Sequence, residues 1–187
     1  MNRQLSFWVG CLCELALLVL ALVWGWLVRR PALVDLHWSL RCTLIGTVAA
    51  VALFIFFLWT LKSNLTVFSR HRHLLESLIR PLFGTWSVLQ LAVISILAGF
   101  SEKAFFRGAI QGSLADRVGI PLALVLASLL FAALHLITWT YAMIVAFIGA
   151  YLGLLSIWTG NLLTPMVTHA VYDFVALVYF VRLYRAA

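Results

Sequence analysis

Glu102, Lys103 and Arg107 fall within six positions, soon after Pro81–Leu97, a run of 17 residues without a charge. Further along, in equally apolar surroundings, His135 stands four residues after Phe131, and His169 four residues before Asp173. A spacing of four places two side chains on one face of a helix. Phe131 and His135 therefore share a face, as do His169 and Asp173. Three helices could bring Glu102, His135, His169 and Asp173 together inside a bundle. Such a set can do proton chemistry. A carboxylate in an apolar pocket becomes a better base, and an imidazole can share that role. A second imidazole with a polar neighbour can stabilise an oxyanion.

The same residues admit other uses. A lone histidine in a membrane helix commonly serves as an interhelical hydrogen-bonding group. Glu102, His135 and His169 could ligate a metal, although nothing like HExxH is present. They could line a proton path in a transporter, although the chain is short and shows no paired inverted repeats. Glu14, the one charge in the first apolar run, reads as interfacial or paired. His71 and His73 stand in a basic stretch and read as solvated.

The elements that carry these residues must cross a bilayer. Of the 187 residues, 65% are hydrophobic and 10% are charged. Soluble domains run near 45–50% apolar and about 25% charged, so this chain is expected to be all-α, a polytopic membrane helix bundle. A spanning helix needs about 20 apolar residues. Six spans are expected: near Leu5–Val28, Leu40–Leu61, a third from near Phe83 into the Glu102 motif whose helix could continue through Gly108 to about Leu114, then Ile120–Thr138, Tyr141–Trp158 and Leu163–Arg182. From Val118 to Val181 the only Asp, Glu, Lys or Arg is Asp173. Thr159-Gly160-Asn161 and Pro165 mark the last break well, whereas the break near residue 138 is weakly marked. The first run ends in Arg29-Arg30-Pro31 and not in a small-residue cleavage site, so it reads as a retained span.

The net charge of +7 comes from short basic stretches between apolar runs. That pattern serves orientation and contact with membrane lipid, and no nucleic-acid partner is expected. The stretch 62–80 is polar enough to lie outside the hydrocarbon, in part as an interfacial amphipathic helix. Cys11, Cys13 and Cys42 form no metal-binding pattern and read as buried apolar thiols. Two segments of one integrated membrane domain are expected: residues 1–80, with two spans and a basic loop, and residues 81–187, which hold the motifs.

Taken in order, Glu102-Lys103-x-x-x-Arg107, Phe131-x-x-x-His135 and His169-x-x-x-Asp173 resemble the signature of the CAAX prenyl protease and bacteriocin-processing (CPBP, or Abi) family. These proteins are also called glutamic intramembrane proteases. The family pattern is EExxxR, then FxxxH, then HxxxN or HxxxD, on successive helices. The resemblance covers about residues 85–180. It implies that Glu102 activates water with His135 beside it, that His169 and Asp173 line the oxyanion side, and that Lys103, Arg107 and Phe131 support them. It implies peptide-bond hydrolysis in a membrane-associated peptide or protein substrate, with no metal, cofactor or covalent intermediate. A bacterial inner membrane is the expected location. The alternative is a non-catalytic relative that acts as a bacteriocin immunity factor or scaffold.

Lys103 departs from this pattern, because the family has a second glutamate there. Lys103 and Arg107, one turn apart, repel. Glu102 and Arg107 are about 140° apart on an α-helix and pair poorly. Arg107 is therefore expected to find Asp173 or backbone carbonyls. If Lys103 is a handicap, a Lys103→Glu change should preserve or raise activity.

Overall fold

The computed structural model describes residues 2–184, so Met1 and residues 185–187, the outer ends of the two expected segments, lie outside it. Seven helical elements follow one another, with no strand among the described residues. These are α1 (Arg3–Leu27), α2 (Leu40–Lys62), α3 (Thr66–Leu74), α4 (Val88–Val118), α5 (Ile120–Leu134), α6 (Trp139–Thr159) and α7 (Leu163–Leu183). A π-helical turn, Leu75–Ile79, and a short helix, Arg80–Phe83, continue α3.

Helix starts are set by local chemistry. The side chains of Asn2, Ser39 and Thr138 each accept a backbone N–H at the start of α1, α2 and α6. Ser87 and Gln90 cap α4 reciprocally. Gly160 holds a left-handed φ of 59° between α6 and α7, a conformation that costs glycine nothing. Asn161 then accepts from the backbone of Leu163 and His37 and donates to the carbonyl of His37. The turn is thereby tied to the loop between α1 and α2.

α1, α2, α4, α6 and α7 are long and apolar enough to cross a membrane. The expected fourth span, 120–138, is shorter: α5 has 15 residues. At 1.5 Å per residue it covers about 22 Å, less than a hydrocarbon core of about 30 Å. Its helix ends at Leu134, and Thr138 caps the next one. The bundle is an integral membrane protein. Large apolar side chains such as Leu12, Val19, Val48, Leu129 and Phe147 point outward, where lipid is the natural solvent. Cys13 is also on the outer surface, contrary to the expectation for the thiols, whereas Cys11 and Cys42 are buried.

α7 is the hub, packed against α2, α4 and α6, while α1 covers α4 and α5 pairs with α6. Small residues set the closest approach. A Cβ added at Gly99 would stand 2.7 Å from that of Ala170 and 2.8 Å from its backbone nitrogen. α4 and α7 therefore meet backbone to backbone beside Glu102 and His169. Tight contact of this kind supplies much of the packing energy where lipid weakens the hydrophobic drive.

Candidate active site

The end of α5 sets the first imidazole. The last carbonyls of a helix have no partner within it. Phe131 supplies one of these carbonyls, and Nδ1 of His135 donates to it at 2.8 Å. Because a carbonyl only accepts, a neutral His135 carries its proton on Nδ1 and an open lone pair on Nε2. That Nε2 lies 3.9 Å from Oε1 of Glu102. The early stop of α5 therefore fixes both the place and the tautomer of the ring.

His169 comes from α7, one helical turn before Asp173. Its Nε2 lies 2.8 Å from Oδ2 of Asp173 and 3.4 Å from Oε2 of Glu102. Glu102 thus stands between two imidazoles, one at each carboxylate oxygen, and His169 bridges two carboxylates. Phe131 packs beneath them, its ring centroid 4.5 Å from that of His135. Of the four polar groups, Asp173 and His135 are the more open, with 27% and 28% of their side-chain surfaces exposed, and His169 is nearly closed.

Lys103 does not stand apart from this arrangement. The residue is fully buried, and its Nζ lies 3.1 Å from Oε2 of Glu102. The same ammonium sits 4.2 Å from the centroid of the Phe131 ring, a cation–π contact. Lys103 therefore faces the glutamate beside it. Arg107 faces elsewhere. Its guanidinium donates to the carbonyl of Gly149 at 2.7 Å and to Oε1 of Gln111 at 2.8 Å, with Oγ of Ser128 at 3.4 Å. Of the two acceptors expected for it, a backbone carbonyl is the one used; Asp173 instead pairs with His169. Between them α4 changes winding: Ala104–Gln111 forms a π-helix. A π turn closes on the fifth residue and not the fourth, so the 140° separation inferred from α geometry does not apply.

The polar groups open onto a cavity of about 280 Å³. Among the described residues, no set of three His, Cys, Asp or Glu side chains is placed to hold a metal. Two further residues line the cavity, and one of them reads differently from the sequence. Glu14 takes the paired alternative: it lines the cavity from α1 and accepts from the hydroxyl of Ser101. His71 is not solvated: it is 4% exposed, lines the cavity and stacks on Tyr141 with ring centroids 6.1 Å apart. Burial, and then the adjacent Arg72, push its imidazole down to about 4. The sequence signal for this was the apolar spacing Phe68–His71–Leu74–Leu75, which puts His71 on the inward face of α3.

Residues 84–175 match the family model described as "Type II CAAX prenyl endopeptidase Rce1-like". The chain is 35% identical over 97 residues to the uncharacterized protein YpbD of Bacillus subtilis (strain 168). That alignment covers 50% of this chain and 47% of the relative, so the chain spans about half the length of the protein it matches. No solved structure matches. The matched segment contains all four polar groups around the cavity mouth but neither Glu14 nor His71.

Proposed function

Since residues 84–175 match the model of the Rce1-like type II CAAX prenyl endopeptidases, we propose that this chain is an intramembrane endopeptidase whose water is activated by Glu102 and His135. The observation that carries the reading is the pair of acceptors, Glu102 Oε1 and His135 Nε2, 3.9 Å apart at the cavity wall. That gap is too wide for a direct hydrogen bond and suits a water that donates one hydrogen to each, about 2.8 Å away. Both hydrogens would be held, leaving an oxygen lone pair free to attack a peptide carbonyl from the cavity.

As the oxygen bonds to carbon, one proton passes to Glu102 or His135. The same proton then goes to the leaving amine as the C–N bond breaks. On this reading the N–H of His169, which pairs with Asp173 at 2.8 Å, is the donor for the developing oxyanion. To reach it, His169 must give up its approach to one of its two carboxylates. Lys103 holds Oε2 of Glu102 and offsets its buried charge, which leaves Oε1 for the water. Arg107 and Phe131 support the arrangement without touching the reacting atoms. No metal or cofactor enters these steps.

The substrate on this reading is a peptide or protein held at or in the membrane. The bacterial relative supports a bacterial cell membrane as the location. One observation favours the non-catalytic alternative, an immunity factor or scaffold: Lys103 already occupies one oxygen of Glu102. Peptide termini compared by mass spectrometry in cells making wild type or Glu102→Gln at equal level separate the two. On the enzymatic reading, specific new termini vanish in Glu102→Gln, a loss of about 10²–10⁴-fold in rate. Identical termini, with any phenotype retained by the variant, would leave only the binding role.

A further inference from the structure

The cavity has a second polar end. Its catalytic end is built by α4, α5 and α7, inside the segment that matches the family model. Another wall comes from α2, α3 and the turn that continues α3, outside that segment, and includes Phe57, Thr60, His71, Leu75 and Ile79. Nearly all of that wall is apolar, and the hydroxyl of Thr60 is turned back to the carbonyl of Phe57 at 2.7 Å. His71 is the exception. It is 4% exposed, lines the cavity, and its Nδ1 has no hydrogen-bond partner among the described residues. Buried polar groups in native proteins are rarely left so.

We infer that His71 is a substrate-binding residue, forming with the ring of Tyr141 a subsite for the backbone amides of the peptide. The inference rests on the endopeptidase reading. A neutral imidazole offers one donor and one acceptor, the same pair that a peptide group presents, and the low value of about 4 keeps it neutral at ordinary pH. A carboxylate would find no net charge on it. The ring is held by stacking on Tyr141 at an interplanar angle of 12°. Tyr141 in turn lies 6.4 Å, centroid to centroid, from His135.

These two ring spacings limit the distance between the subsite and the attacking water. At about 3.3 Å per extended residue, His71 meets the substrate no more than about four residues from the bond that is cut. Specificity would then be written on the interfacial helix α3, while the chemistry is written on the family segment.

The test compares peptide termini, by mass spectrometry, in cells making wild type, Glu102→Gln, His71→Phe, His71→Gln or His73→Phe at equal protein level. His71→Phe keeps an aromatic ring on Tyr141 and removes the polar atoms. The Glu102-dependent termini should fall at least ten-fold in His71→Phe, and their residue preferences should shift within four positions of the cut. His71→Gln should keep most of the yield, and His73→Phe, altered on the exposed side of the same helix, should match wild type. Unchanged yield and preference in His71→Phe would overturn the subsite. If His71→Phe does not accumulate, His71→Gln decides: wild-type termini support the polar role, and their loss assigns His71 to packing. Absence of any Glu102-dependent terminus in wild type would instead overturn the endopeptidase reading, and this inference with it.

Discussion

Glu102 and Arg107 sit five residues apart on α4, both in the bilayer region, yet their surroundings differ in kind. Arg107 is 3% exposed and spends its two terminal nitrogens on acceptors from α4, α5 and α6. It is a tie between helices. Glu102 meets a lysine and two histidines at distances from 3.1 to 3.9 Å and borders a cavity. Its contact with His135, at 3.9 Å, is looser than any that Arg107 makes. In a medium where an ionisable group costs several kcal/mol, closed contacts suit a structural tie, and contacts left open toward a cavity are what the proposed chemistry requires.

Lys103 offers the sharpest way to break this comparison. Lys103→Glu would set two buried carboxylates side by side and remove the cation that offsets Glu102. Losing one partner of a buried pair costs about 3–5 kcal/mol of stability, and with Glu102 no longer held as a base, Glu102-dependent cleavage should fall about 10²-fold or more. The glutamate of the family pattern would thus harm this chain and not restore it. Lys103→Arg should retain more of the rate than Lys103→Glu. Cleavage assays in purified membranes decide the point: wild-type rates in Lys103→Glu would make Lys103 a bystander.

Arg107→Met tests the other side. It leaves the carbonyl of Gly149 and the side chains of Gln111 and Ser128 short of a donor, at about 1–3 kcal/mol for each buried group left unpaired. Thermal unfolding in detergent should show the loss, while cleavage per folded molecule stays near wild type. A variant that unfolds normally but does not cut would place Arg107 in the chemistry.

The smallest effect concerns α3. The folded state holds the imidazole of His71 down at about 4, from an ordinary 6.5. As pH falls from 6.5 toward 4, the unfolded chain takes up this proton and the folded chain does not. Stability contributed by His71 is therefore complete above 6.5 and declines through that window. Melting temperatures measured from pH 7 to pH 4 should fall less in His71→Phe than in wild type. Parallel curves would mean that His71 is open to water in the membrane.

Much of this architecture is legible in the sequence. Apolar runs of about 20 residues mark five helices because lipid forces each span to satisfy its own backbone. The turn at Gly160 could be placed because it depends on one residue's backbone freedom. The early end of α5 could not, because Leu136 and Ile137 are as apolar as the helix before them, and only the contacts of His135 and the cap at Thr138 reveal the stop. The π turn in α4 was equally hidden, and with it the direction of Arg107.

By itself the sequence determined which residues could do proton chemistry, and which of them share a helix face, since a spacing of four is a local property of the backbone. Only the tertiary structure decided which of them meet. Glu102 and His169 are far apart in the chain and converge because Gly99 and Ala170 let two helices touch, and His135 joins them where α5 stops. Lys103 pairs with Glu102, and does not simply repel Arg107, because burial beside Phe131 leaves its ammonium no water. His71 turns from a surface residue into a cavity wall because α3 folds back over α6. Charge pairing and burial depend on neighbours distant in sequence, and no spacing along the chain records them.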